Sequence, residues 1–213
     1  MNIASKFGPA FTLESADAAS LDQLEHQAQG CTRCELYKNA TQLVFGEGSQ
    51  KADIMLVGEQ PGDKEDIAGR PFVGPAGRLL DICLEEAGLE RSRCYVTNAV
   101  KHFKFEPRGK RRLHSKPNAG EIQRCSWWLG AEINLVRPHL VVALGATALY
   151  SLLGPKVKLT PERGHILTPE NHPPVLVTIH PSFLLRIRDD DDIARQRANF
   201  IADLRHAVQY QGN

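Results

Sequence analysis

Residues 53–77 read DIMLVGEQPGDKEDIAGRPFVGPAG, and the fold turns on how this stretch is read. The run Asp53–Glu59 (DIMLVGE) is short and apolar on consecutive residues, the pattern of a strand buried on both faces of a parallel sheet. A loop crowded with glycine and proline follows, and from Ala76 to Ala87 the apolar spacing becomes helical. Strand, loop and helix in that order open a βα unit. Three more short apolar runs have the same character: Cys94–Val100 (CYVTNAV), Leu140–Gly145 (LVVALG) and Val175–His180 (VLVTIH). Helical patterns lie between and after them, at Ala119–Val136, Ala146–Leu153 and Asp192–Tyr210, and Leu21–Gln29 forms a short amphipathic segment closed by Gly30. This alternation predicts a three-layer α/β/α fold around a central, mostly parallel, four-stranded sheet. The acidic run Asp189–Asp192 suits a helix start, where carboxylates meet the positive end of the dipole, and is assigned no chemistry.

The bulk composition narrows the classes. Hydrophobic residues make up 42% and charged residues 24% of the 213, as in a globular protein, and no apolar run approaches the ~20 residues of a membrane span. The length fits one domain over 1–213, with residues 1–20 as a peripheral segment. The N-terminus lacks a basic start followed by an apolar stretch, so a cytoplasmic protein is expected, and a monomer. In a reducing compartment the five cysteines point to metal ligation or packing rather than to disulfides. The net charge of +1 hides one strong asymmetry: between Lys101 and Lys116 stand seven Lys or Arg against a single acid, Glu106. Such a cluster can neutralise phosphates, although a solvated surface loop has the same composition.

Ligands of parallel sheets bind outside the carboxyl ends of the strands, which selects residues. The first strand runs into Glu59 and Gln60, the second ends in Thr97-Asn98, and the fourth in His180-Pro181-Ser182. A carboxylate, a carboxamide and an imidazole therefore converge on one edge. Taken singly, each also has an ordinary reading as a turn cap, a backbone-bonded amide or a partly buried histidine.

The segment Gly58–Gly77, with Thr97-Asn98 and His180-Pro181-Ser182 following in order, resembles the iron–sulfur uracil-DNA glycosylases called family 4. Within that superfamily Gly109-Lys110-Arg111-Arg112-Leu113-His114 resembles the basic, histidine-ended loop of the UdgX group, with Leu113 in place of the usual Ile. The resemblance implies an enzyme that extrudes a uracil nucleotide from DNA and cleaves its glycosidic bond. In that reading Phe72 stacks on the base, Asn98 reads its edge, and Gln60 contacts the ligand. His180 stabilises the charge developing on uracil, and Glu59 stabilises the electron-poor sugar or positions a water. His114 then attacks C1′ and leaves the protein joined to the DNA. Lys110, Arg111, Arg112 and Ser182 hold the DNA, single-stranded substrate being accepted.

Cys31-Thr32-Arg33-Cys34 has a spacing shared by zinc sites, iron–sulfur sites and redox dithiols, and its place before the first strand weakens the redox reading. The resemblance implies a four-iron, four-sulfur (4Fe–4S) cluster held by Cys31, Cys34, His102 and Cys125. His102 stands where relatives carry cysteine, which leaves Cys94 as a competing ligand; Cys83 is a packing residue. Two other functions fit the sequence: a multiple-turnover glycosylase in which His114 only touches DNA, and a non-catalytic nucleic-acid-binding metalloprotein. The second leaves Gly58–Gly77 without a purpose.

Overall fold

The computed structural model of the chain describes residues 18–210. The peripheral segment expected at residues 1–20 therefore lies almost wholly outside the described residues. The elements run in the order α1 (Leu21–Ala28), β1 (Ile54–Gly58), α2 (Asp63–Ala68), α3 (Pro75–Ala87), β2 (Cys94–Asn98), β3 (Phe105–Arg108), β4 (Arg111–His114), α4 (Ala119–Val136), β5 (Leu140–Leu144), α5 (Ala146–Leu153), α6 (Leu159–Glu162), β6 (Ile166–Leu167), β7 (Val175–Thr178), α7 (Pro181–Leu184) and α8 (Asp190–Gln209). All four expected strands and the helices between them are present, and the layered α/β architecture is as read from the sequence. The sheet has one strand more than expected. Its order is β2-β1-β5-β7-β6, parallel except for the two-residue β6, which pairs antiparallel with β7. Two residues are too few to leave a periodic signal.

Every residue of β1, β2, β5 and β7 is buried, because each strand has helices over both faces. Alternate residues serve the two sides. Leu56, Val142 and Leu176 pack with Leu80 and Leu84 of α3 and Phe200 and Leu204 of α8. Met55, Val57 and Val141 pack with Leu129 and Ile133 of α4 and Leu149 of α5. Helix α4 starts at a capping box, the Asn118 side chain accepting from the Glu121 amide at 2.9 Å while Glu121 accepts from the Asn118 amide at 2.7 Å. The Asp189 side chain caps α8, accepting from the Asp192 amide at 2.8 Å, so the acidic run is a helix start as expected. Among the described residues no helix is long and apolar enough to cross a membrane.

Candidate active site

From β1 the chain crosses to β2 on one side, and the next parallel strand, β5, lies on the other. The reversal opens a crevice at the carboxyl ends of β1 and β5, the place where such sheets bind ligands. Glu59 stands at its lip. Thr147, in the first turn of α5 across the crevice, donates its hydroxyl to Glu59 Oε2, and His114 Nε2 lies 3.2 Å from Oε1. Burial pushes the Glu59 carboxyl up, but hydrogen bonds from His114 and Thr147 and the nearby imidazoles outweigh it, so the net shift is downward. The site thus holds an ionised, half-desolvated carboxylate with both oxygens engaged. Sequence reading missed Thr147, although the rule that selected Glu59 also covers the residues after β5.

Register puts Gly58 beside Asn98, which is buried. A side chain at Gly58 would come within 2.4 Å of Asn98 Oδ1 and 2.5 Å of Phe72 Cζ, so only glycine lets the carboxamide and the aromatic ring both pack against the end of this strand. Phe72 is buried with φ at 56°, the left-handed region that an aromatic residue enters only under constraint. The constraint is visible. Glu65 accepts from the Gly62 amide at 3.1 Å and the Gly74 amide at 2.8 Å, tying the two ends of the loop together. Arg91 donates to the carbonyls of Phe72 (3.1 Å) and Pro71 (2.8 Å) while pairing with Asp81 at 2.9 Å. Arg91→Met is expected to lower the unfolding free energy by about 1.5–3 kcal/mol, the range for hydrogen bonds that involve a charged group. A urea titration with an unchanged midpoint would contradict that clamp.

His180 precedes α7 and packs 5.9 Å, ring to ring, from Phe72. Its Nδ1 accepts from the Ser182 amide at 3.1 Å and lies 2.8 Å from the Ser182 hydroxyl. An amide only donates, so Nδ1 is the bare nitrogen and the ring proton sits on Nε2. Burial pushes the imidazole down to about 4, partly opposed by Glu59 and reinforced by Arg186 and His114, so the ring is neutral near pH 7. An unfolded histidine binds its proton near 6.5, so between 6.5 and about 4 the unfolded chain takes up more protons than the folded one. Stability therefore falls as pH drops through that window. In thermal melts His180→Gln should show a shallower acid decline than the parent protein; equal slopes would count against a neutral His180.

The basic loop is a hairpin, which the sequence reading did not anticipate because its strands are mostly charged. Its turn is Gly109-Lys110, with Gly109 at φ 58°, a value glycine takes without strain. Pairing splits the residues by face. Arg112 and His114 face the protein; Arg111 and Leu113 lie on the outer face and are exposed, as is Lys110 in the turn. Arg112 is not available to DNA as expected. Its guanidinium donates to Asp63 Oδ1 at 2.7 Å, to Asp66 Oδ2 and to Thr41 Oγ1 at 3.0 Å, and lies over Phe103 and Phe105. A cation so fully paired anchors the hairpin to α2. Gln60 also departs from expectation: its carboxamide accepts from the Lys104 amide at 3.0 Å and donates to the Lys104 (3.1 Å) and Ser115 (3.0 Å) carbonyls. The side chain grips both stems of the hairpin and so fixes where His114 stands.

Cys31 and Cys34 follow α1 and Cys125 lies in α4; all three belong to one core cluster with Leu24, Phe45 and Trp128. Two sulfurs receive N–H groups, Cys31 from Trp128 Nε1 at 3.1 Å and Cys125 from the Lys101 amide at 3.2 Å. Burial raises the Cys125 thiol to about 12, so ionisation of this sulfur requires a strong positive partner. Among the described residues no three metal-ligating side chains converge on the position of a single ion. The donor set nevertheless fits thiolate ligation of a larger group, since N–H donors aimed at sulfur favour the thiolate. Cys94 and Cys83 belong to the other core, around α3, which removes Cys94 from competition. His102 is buried on the stretch that bonds Cys125, with its imidazole pushed down by burial and partly restored by Asp66.

The model of the "Uracil DNA glycosylase superfamily" matches residues 45–205. A "Type-4 uracil-DNA glycosylase" of Thermotoga maritima is 40% identical over 172 residues, covering 80% of this chain and 86% of the relative. Proteins of the same description from Sulfurisphaera tokodaii (34% identical, 90% of each chain) and Pyrobaculum aerophilum (36%, 78% of this chain and 85% of the relative) are also similar.

Proposed function

Because this chain belongs to the uracil-DNA glycosylase superfamily, we propose that it excises uracil from DNA and ends the reaction joined through His114 to C1′ of the abasic sugar. The observation that carries the covalent ending is the occupancy of Glu59. A carboxylate that orients a hydrolytic water must hold it on the side facing the sugar; here Thr147 donates to Oε2 and the His114 imidazole stands at Oε1, where such a water would otherwise be held. Of these two partners the imidazole is a strong nucleophile.

In this reading the flipped uracil lies on Phe72, with the Asn98 carboxamide along its edge; Gly58 lets these two side chains sit side by side. As the C1′–N1 bond breaks, its electron pair goes to uracil, and the neutral Nε2–H of His180 donates to the oxygen that becomes anionic. A neutral donor stabilises the leaving anion without having to protonate it. The sugar is left oxocarbenium-like, and the ionised Glu59 faces that charge. His114 enters with both ring nitrogens protonated and Nε2 paired to Glu59; once the glycosidic bond has broken it passes its Nε2 proton to the carboxylate and keeps the proton on Nδ1. The freed Nε2 lone pair then forms the Nε2–C1′ bond, so the positive charge moves from the sugar to the imidazole and Glu59 is left protonated. A held nucleophile competes with solvent at an effective molarity of roughly 10⁵ M or more.

We assign the chain to the UdgX group on the Lys110-Arg111-Arg112-Leu113-His114 run. Lys110 and Arg111, exposed at the hairpin tip, are the residues proposed to meet phosphates; Ser182 stands at the mouth beside His180. Cys31, Cys34 and Cys125, with His102 as the fourth ligand, would hold an iron–sulfur cluster. When bound it supplies a covalent tie between the segment after α1, the base of the hairpin and α4.

The test is incubation with a uracil-containing single-stranded oligonucleotide, with release of free uracil and a denaturing gel read together. About one equivalent of uracil per protein with a retarded band supports the proposal. Many equivalents without a band indicate a hydrolytic glycosylase, and no uracil removes the glycosylase reading.

A further inference from the structure

Arg186, on the exposed turn after α7, donates from Nη1 to Ser182 Oγ at 3.1 Å, and Ser182 Oγ lies 2.8 Å from His180 Nδ1. A guanidinium has no acceptor, so the Ser182 oxygen must receive this bond, and the hydroxyl proton is directed elsewhere. The nearest acceptor is His180 Nδ1. Two donors from one residue, the hydroxyl and the amide of Ser182, therefore converge on one ring nitrogen. With Arg186 absent, the hydroxyl is free to turn round, and only the 3.1 Å amide bond then holds the proton off Nδ1, so the preference for the Nε2 tautomer weakens. The direction of the whole chain, guanidinium to hydroxyl to imidazole, is set by its outermost member.

We propose that Arg186 is a positioning residue that orients the Ser182 hydroxyl and thereby adds a second donor, beside the Ser182 amide, that holds His180 in the tautomer carrying its proton on Nε2. The proposal rests on the assigned role of His180 as donor to the departing base. Three charged or titratable groups face the His180 ring: Glu59 after β1, His114 at the end of β4, and Arg186 itself. Glu59 favours a cationic ring, while Arg186 and His114 oppose it. Arg186 thus acts twice in the same sense, through the hydroxyl and through its charge, to leave Nδ1 bare.

Tautomers are read directly by long-range ¹⁵N–¹H correlation spectra of the histidine rings in the protein without DNA. His180 in the parent protein is expected to show a protonated Nε2 and an unprotonated Nδ1 near pH 7. In Arg186→Met the two nitrogens should move towards averaged shifts, and the single-turnover rate of uracil release at saturating DNA should fall about tenfold, the worth of one charge-assisted hydrogen bond. Arg186→Lys, which can still donate to Ser182 Oγ, should recover most of both. In a Ser182→Ala background Arg186→Met should leave the ring spectrum unchanged, because the relay is already cut. If Arg186→Met keeps the parent spectrum and the saturated rate, and only the DNA dissociation constant rises, Arg186 is a phosphate contact and the proposal is overturned. If the parent protein releases no uracil, the glycosylase reading fails, while the ring spectra still decide whether Arg186 sets the tautomer.

Discussion

Replacing His114 with Ser is expected to abolish the denaturant-resistant protein–DNA complex while uracil release continues past one equivalent. The adduct requires a nitrogen lone pair at the sugar carbon, and serine offers only a weakly nucleophilic hydroxyl that ends well short of the imidazole. The substitution also releases Glu59 Oε1, which His114 Nε2 occupies at 3.2 Å. A carboxylate with a free oxygen can orient water, and water cannot remain attached as a protein side chain does, so the enzyme resets. The chemistry before that point, base stacking on Phe72 and anion stabilisation by His180, does not involve residue 114. The departure of uracil should thus survive, at a reduced rate if the imidazole also assists the oxocarbenium-like state. His114 is half-exposed and caps no core, so the variant should fold. A retarded band of parental intensity with His114→Ser would remove His114 as the nucleophile. Loss of the band together with all uracil release would show instead that the imidazole is needed before the bond breaks.

Much of the fold was legible because its strands are covered on both faces. A strand such as Ile54–Gly58 must be apolar at every position, and the rule that ligands bind beyond strand ends then picked out Glu59, Asn98 and His180 from chemistry alone. The parts that stayed hidden are those in which a side chain's role depends on a partner distant in sequence. Arg112 belongs by composition to a basic loop, yet Asp63 and Asp66, some fifty positions away, neutralise it. Gln60 sits next to a catalytic candidate, but its carboxamide turns to the hairpin backbone. Arg91, Thr147 and Arg186 carry no motif at all. The hairpin escaped because alternation along Arg111-Arg112-Leu113-His114 is an alternation of partners rather than of polarity: the inward residues are a paired cation and an imidazole. Charge runs in a sequence report only how many cations there are, not how many remain free in the fold.

The second large effect is expected away from the pocket, at a fully buried ion pair that underlies it. Lys101 and Glu132 have no solvent exposure, and Lys101 Nζ donates to Glu132 Oε2 at 2.6 Å, to Thr97 Oγ1 at 2.6 Å and to the Asn98 carbonyl at 2.9 Å. Glu132 Oε1 accepts from the Tyr95 hydroxyl at 3.0 Å and the Gly46 amide at 3.2 Å. The pair thus ties the end of β2, which carries Asn98, to α4, and the Lys101 amide reaches Cys125. Removing one partner leaves a charge in a medium that cannot solvate it, so Lys101→Met is expected to cost about 3–5 kcal/mol of unfolding free energy. Adding Glu132→Gln should return part of that loss. The second change removes the orphaned charge and keeps a carboxamide oxygen as acceptor for Tyr95 and Gly46, so the double variant should be more stable than Lys101→Met alone. Urea unfolding of the three proteins reads this non-additivity directly. If Lys101→Met lies within about 1 kcal/mol of the parent, where exposed pairs fall, or if the double variant is the least stable of the three, the buried charge is not what holds β2 to α4.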